Sequence, residues 1–203
     1  MGFQRGGISE TILTTVNPDG SFNASPMGVH RTSEALEIRP FKSSSTFTNL
    51  LNNPEACINV TDNPGLFFAT AFKGRTVEGI PTPEIKEDMR LQPAYAQVFI
   101  NTCRAKDISE IQACFTCHVK GVVAPAMKPR SFSRGRAEAI EAIIHATRIE
   151  AFSKEGRVED VERLIKRFAE CKGVVERVSA LDSVEAIVIG ELEKMIAVWS
   201  GET

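Results

Sequence analysis

What the chain lacks narrows it first. It has no excess of charge: 24 Lys and Arg stand against 26 Asp and Glu, a formal net charge of −2 over 203 residues. Nothing there suggests nucleic-acid binding, which needs a basic face, and a small-molecule ligand is the simpler expectation. No segment reaches the roughly 18 uninterrupted apolar residues of a membrane span. A mean hydropathy of −0.10 with 25% charged residues is that of a globular chain. Residues 1–8 carry neither an apolar signal core nor a cleavage pattern, and Gly6 stands where myristoylation favours Ser or Thr. The cysteines number five, an odd set, and without a secretory signal they read as reduced thiols in a cytoplasm. No Gly-rich GxGxxG follows a strand, which argues against a Rossmann domain. Nor is there a Ser-His-Asp or Cys-His arrangement, a carboxylate metal cluster, an internal repeat or a low-complexity tract.

What is present is strand-like first and helix-like later. Ser9–Val16 alternates and is rich in β-branched residues, and the turn Asn17–Gly20 returns the chain into Ser21–Ala24, which predicts a β-hairpin. Pro26 and Gly28 are expected to interrupt the ladder over Ser25–Val29 and leave backbone exposed there. Further strands are expected at Glu34–Arg39, Glu55–Thr61, Ala94–Asn101 and Ala113–Val123, with Phe67–Phe72 a strand or buried segment. Gly74–Gln92 has no period and reads as a long loop of the kind that serves as a lid. Pro125 and Pro129 close the β-rich part.

From Gly135 the apolar period changes from two to about 3.6. One helical face is expected from Ala137, Ile140, Ile144, Thr147 and Ala151. A second comes from Val158, Val161, Leu164, Ile165 and Phe168, and a third from Val184, Val188, Leu192, Met195, Ile196 and Trp199. Asp182 with Glu185 makes a capping box for the last helix. Strands followed by helices predict an antiparallel barrel or sandwich with a helical extension.

Cys114-Phe-Thr-Cys117-His118 matches the pattern for covalent haem attachment. It lies in an alternating run, however, where Cys114 shares a face with His118 and not with Cys117. No export signal or second axial ligand accompanies it. A zinc site from Cys103, Cys114, Cys117 and His118 has suitable ligand types but no paired C-x-x-C knuckles. Half-buried cysteines in a sheet are the expectation. His30 could line a pocket beside Ser25–Val29; His145 sits in a helix without a carboxylate pattern around it.

The stretch Arg39–Leu50 has the chemistry of an anion site. Arg39 and Lys42 flank the hydroxyls of Ser43, Ser44, Ser45 and Thr46, which lead into a short helix-like segment, Thr46–Leu51. A helix start offers unpaired N–H groups and the positive end of the peptide dipoles. An ordinary serine helix cap explains the same residues. Taken in order, Ile8–Val16, Asn23–Val29, Ser45–Leu50 and Asn59–Asp62 resemble the FMN-binding split barrels, in particular their archaeal-type domain-of-unknown-function 447 subfamily. Residues Pro129–Ala142 and Ala146–Arg148 resemble that subfamily's helical tail. More distantly the chain is similar to flavin reductases and pyridoxamine phosphate oxidases.

The resemblance implies an antiparallel split β-barrel over residues 1–131 with a C-terminal three-helix extension over 132–203. It implies FMN held non-covalently at a homodimer interface, and a flavin-dependent oxidoreductase acting on a small molecule. A non-catalytic FMN carrier or sensor is the alternative, as is a binder of another phosphorylated ligand. The phosphate maps onto Ser43, Ser44, Ser45 and Thr46 with Arg39 and Lys42. Ser44 and Ser45 stand where the resemblance leads one to expect an arginine. The segment Asn23–Gly28, including Ser25, Pro26 and Met27, maps along the ring. Asn49, Asn59 and Thr61 map near the ring edge or ribityl chain, and Arg134 and Arg136 near the site.

Overall fold

A computed structural model describes Phe3, residues 6–124 and residues 133–201. The chain divides into two compact units, Met1–Thr61 with Pro83–Lys128, and Asp62–Thr82 with Pro129–Thr203. Pro125, Pro129 and the 131/132 junction expected from sequence lie outside the described residues, as does the start of the tail segment Pro129–Ala142.

The first unit is a barrel. Its strands are β1 (Ile8–Val16), β2 (Phe22–Arg31), β3 (Leu36–Ile38), β4 (Glu55–Val60), and, after a small hairpin of β5 (Glu84–Ile85) and β6 (Leu91–Gln92), β7 (Ala96–Asp107) and β8 (Ala113–Val123). The barrel closes in the order β1–β2–β3–β8–β7–β4, and every pairing is antiparallel. The β1–β2 hairpin forms where the turn chemistry places it. Asn17 N–H donates to Ser21 O at 2.8 Å, Asp19 accepts from the Ser21 N–H, and Gly20 takes a φ of 83° that only glycine adopts cheaply. Leu13, Val29, Ile38, Ile58, Ile100 and Phe115 converge inside the barrel. Each such side chain contributes about 1.5–3 kcal/mol relative to exposure.

Two local expectations change here. β2 runs unbroken through Pro26 and Gly28, in register with β1 from Phe22 to His30. The irregularity that those residues announce lies instead on the strand's other edge. The Gly74–Gln92 segment is not all loop, because its end forms the β5–β6 hairpin. The helix α1 (Ser45–Asn52) follows β3.

The second unit is helical: α2 (Pro64–Ala71), α3 (Arg134–Lys154), α4 (Val158–Val178) and α5 (Val184–Ser200). Phe67–Phe72 is buried as expected, but it belongs to a helix and not to a strand. Asn63 accepts a hydrogen bond from Gly65 N–H at 2.9 Å and Pro64 occupies the first turn. That is a helix start. Leu66, Phe67 and Phe68 are all buried, so the run has no polar face from which a period could be read.

The inward face of α3 is Ala139, Ala142, Ile143, Ala146 and Ile149 rather than the expected stripe, in which Ala137 and Ala151 are exposed. This helix packs against α2, α4 and α5. Its polar and apolar residues are spread around the helix, so no single stripe stands out, and the small alanines allow close approach on one side. The α4 and α5 stripes hold in their centres; Val158 stays 65% exposed. The cap of α5 is Ser183, which accepts from Ala186 N–H at 3.2 Å, and not Asp182.

Candidate ligand site at the open edge of the barrel

The backbone of β2 presents one free edge. Asn17 N–H donates to Ser21 O, and Arg31 N–H donates to Gly7 O, in the same antiparallel ladder. Odd-numbered residues of β2 therefore turn their N–H and C=O toward β1, and even-numbered ones turn theirs the other way. β3 takes up that second edge only from Val29 onward. The N–H and C=O of Ala24, the C=O of Pro26 and the N–H of Gly28 thus face an edge with no strand partner among the described residues. Pro26 is tolerated because its missing N–H falls on that side.

The side chains on the inward face of the same stretch set the start of α1. Thr46 is buried, and its hydroxyl lies 2.7 Å from Ser25 Oγ and accepts from Asn23 Nδ2 at 3.2 Å. Asn23 and Asn49 both donate to Thr15 Oγ1, at 3.2 and 3.0 Å, and Asn49 also reaches Asn17 Oδ1 at 2.8 Å. This polar set joins β1, β2 and α1. Buried hydroxyls and amides of this kind are costly unless mutually satisfied. Met27 packs against the barrel core.

The hydroxyl run therefore divides. Ser44 is the helix cap, accepting from Phe47 N–H at 3.2 Å and donating to Phe41 O at 2.7 Å. Thr46 faces inward, while Ser43 and Ser45 are exposed at the start of α1. Lys42 pairs with Asp107 at 3.1 Å and Arg39 with Glu37 at 3.4 Å. Glu37 stands opposite His30 on β2 and Thr116 on β8. Burial first, and then the Arg39 charge, hold His30 below the ordinary histidine range. Burial, helped by Glu37, raises the Cys114 thiol.

Other sequence candidates lie elsewhere in the structure. Asn59 is fully buried on β4; its Nδ2 donates to Ile12 O, Thr14 Oγ1 and Cys57 O, at 3.1, 2.9 and 3.2 Å. Its Oδ1 accepts the Leu91 N–H at 2.8 Å. Thr61 is buried just past the end of β4. Arg134 and Arg136 belong to the helical unit, where Arg134 is exposed on the first turn of α3. Arg136 bridges Asp62 and Glu185, each at 3.2 Å. Burial opposes its charge, but the carboxylates prevail and raise its pKa.

In the C-x-x-C-H segment Cys117 points into the barrel, its thiol pushed up to about 12 chiefly by burial, while Cys114 and His118 face outward. Among the described residues no cluster of His, Cys, Asp and Glu is arranged to hold a metal ion. Sequence reasoning missed Thr15, Asn17, Glu37 and Leu91. Thr15 did carry a signal: a threonine sharing the inward face of β1 with Leu13 needs a buried partner.

Comparison with known proteins bears on the family and the fold. Residues 9–124 match the family described as protein of unknown function (DUF447), N-terminal domain. No curated protein matches the sequence. The fold is similar to that of an FMN-bound DUF447 protein from Methanosarcina mazei, with 20% identity, a TM-score of 0.75, and 94% of this chain and 96% of that one covered. The styrene monooxygenase flavin reductase of Pseudomonas putida S12 is similar over 58% of this chain and 79% of its own, with 13% identity and a TM-score of 0.48. Flavoredoxin from Methanosarcina acetivorans is similar over 58% and 68%, with 15% identity and a TM-score of 0.45. A match across the whole barrel, with a solved relative that follows the chain nearly end to end, establishes that this protein belongs to the DUF447 family of split-barrel proteins.

Proposed function

We propose that this protein binds FMN at the open edge of β2 and acts as a flavin-dependent oxidoreductase on a small molecule. The observation that carries the reading is the meeting of two kinds of recognition at one place. A backbone edge of alternating donors and acceptors, at Ala24, Pro26 and Gly28, suits the polar rim of a flat heterocycle. The start of α1, with the exposed hydroxyls of Ser43 and Ser45 and with Lys42 close by in the chain, suits a phosphate. The donor set fits the group, and the FMN-bound relative supports it.

In this reading Ser43, Ser45, the first N–H groups of α1 and Lys42 hold the phosphate, with Arg39 as the further cation. Ser44 shapes the helix start. Asn23, Ser25, Thr46 and Asn49 act from behind by fixing where α1 begins, and Met27 by filling the core beneath the edge. Asn59 acts through the hairpin that it holds, and Thr61 through the end of β4. Of the arginines at the start of α3, Arg136 already shares its charge with carboxylates of its own unit. When bound, the flavin supplies the redox chemistry, and the protein's share is to bind, orient and shield it.

A homodimer belongs to the same proposal. Phe41, Ile108 and Ile111 are 52%, 46% and 64% exposed. They are clustered beside α1, since Lys42 N–H donates to Ile111 O and Phe41 bridges to Gln112. A second copy covering this apolar group would close the site. No helix among the described residues is long and apolar enough to cross a membrane. All five cysteines are free thiols, which supports a reducing compartment such as the cytoplasm.

The test is the absorption spectrum of the purified protein with and without added FMN. It is followed by NADH and NADPH oxidation compared with free FMN. A yellow protein that accelerates oxidation is expected. A colourless protein that takes up no FMN would sink the proposal, and a yellow one with no turnover would leave a flavin carrier.

A further inference from the structure

The β5–β6 hairpin pairs with no barrel strand among the described residues. Each strand contributes only two residues, and a hairpin of that size does not hold itself together in water. Its charges are spent internally: Lys86 bonds Glu84, and Arg90 bonds Asp88 at 2.6 Å. Met89 at the turn takes a φ of 68°, a left-handed conformation that a side chain with a Cβ disfavours.

What fastens the hairpin is narrow. Leu91 is fully buried, and its N–H donates to Asn59 Oδ1 at 2.8 Å. The amide of Asn59 is locked by three donor bonds into the barrel, and its oxygen accepts from the Leu91 N–H and, at 3.7 Å, from the Cys57 thiol. Cys57 lies two residues back on the same face of β4 with no exposed surface. Asp88 and Arg90 of the hairpin lie close enough to act on its thiol electrostatically.

We propose that the β5–β6 hairpin is a strap, latched to the outer face of β1 and β4 by Leu91 on Asn59, that opens without unfolding the barrel and uncovers Cys57. The covered row is continuous with the open-edge strand: Asn59 stands opposite Ile12, which stands opposite Pro26, and Cys57 stands opposite Thr14, which stands opposite Ala24. Opening the strap therefore widens access to the face that adjoins the candidate ligand site. The strap rests on this chain's own packing and does not depend on the identity of the ligand.

Native-state alkylation of the full-length protein with iodoacetamide, read peptide by peptide in a mass spectrometer, tests it. Cys117, buried in the core of the same barrel, reports opening of the barrel as a whole. Cys57 should label about tenfold or more faster than Cys117, as expected of a local opening below the global one. Leu91→Ala should speed Cys57, whereas Ile100→Val, in the barrel core, should speed Cys117 and leave Cys57 at its natural rate. Met89→Gly, which relieves the left-handed residue, should slow it. Equal rates for Cys57 and Cys117 in the natural protein would overturn the strap, and so would an Ile100→Val variant that speeds both thiols alike.

Discussion

Thr46 occupies the point where β1, β2 and α1 are tied together. Its hydroxyl meets Ser25 and Asn23, residues more than 20 positions away in the chain, and all of this lies beneath the surface. Thr46→Val keeps the shape and deletes the hydroxyl, leaving the Ser25 and Asn23 side chains short of a partner. It should cost about 1–3 kcal/mol, read as a lower urea midpoint with an unchanged slope. The same variant should weaken FMN binding, because the start of α1 loses the contact that sets it. Ser45→Ala, on the exposed side, should weaken FMN binding with little effect on the midpoint. A stability loss for Ser45→Ala as large as that for Thr46→Val would contradict the division of the hydroxyl run.

At the scale of elements, α3 and α4 pack closely, and their buried residues include Ala139, Ala142 and Ala146 of the first and Leu164, Phe168 and Cys171 of the second. His145 is caught at the margin of this contact. Its side chain is 12% exposed, Glu141 Oε1 is 3.5 Å from Nε2, and Nδ1 is buried with no hydrogen-bond partner. Burial above all, with Arg148 and Arg167, holds its pKa below the ordinary value of 6.5, against the pull of Glu141 and Glu170. The folded protein therefore keeps His145 neutral while the unfolded chain takes up a proton near its ordinary value. Stability is fully present above 6.5 and declines as the pH falls from there to below the folded-state value. Urea midpoints at pH 5 should lie below those at pH 7.5, and His145→Gln should reduce the difference. An unchanged difference in that variant would remove His145 from the account.

At the scale of the molecule, a ligand that binds only the folded chain must stabilise it. FMN at about 100 times its Kd should add roughly 2.7 kcal/mol to unfolding, with the midpoint climbing as FMN is raised. Riboflavin, which lacks the phosphate, should add much less if the start of α1 is the anchor. Equal stabilisation by both would move the recognition away from Ser43 and Ser45 and onto the ring.

The sequence by itself determined the elements whose signals are local. Alternation with β-branched residues made β1 and β8, Asn17–Gly20 made the first hairpin, and the change of period after Gly135 made α3, α4 and α5. It also argued against the haem reading of Cys114–His118, since on a strand Cys117 faces away from Cys114 and His118. Through resemblance it named the family. Only the tertiary structure decided the helical state of the uniformly apolar run at Phe67, the buried side of α3, and the division of Ser43, Ser44, Ser45 and Thr46 among surface, cap and core. It alone turned Asn59 into the latch of a hairpin that begins about 25 residues later in the chain. The physical reason is common to these cases. A period or a turn is fixed by neighbours in sequence, whereas the face that a residue turns and the partner that satisfies it depend on segments brought together only when the barrel and the bundle close.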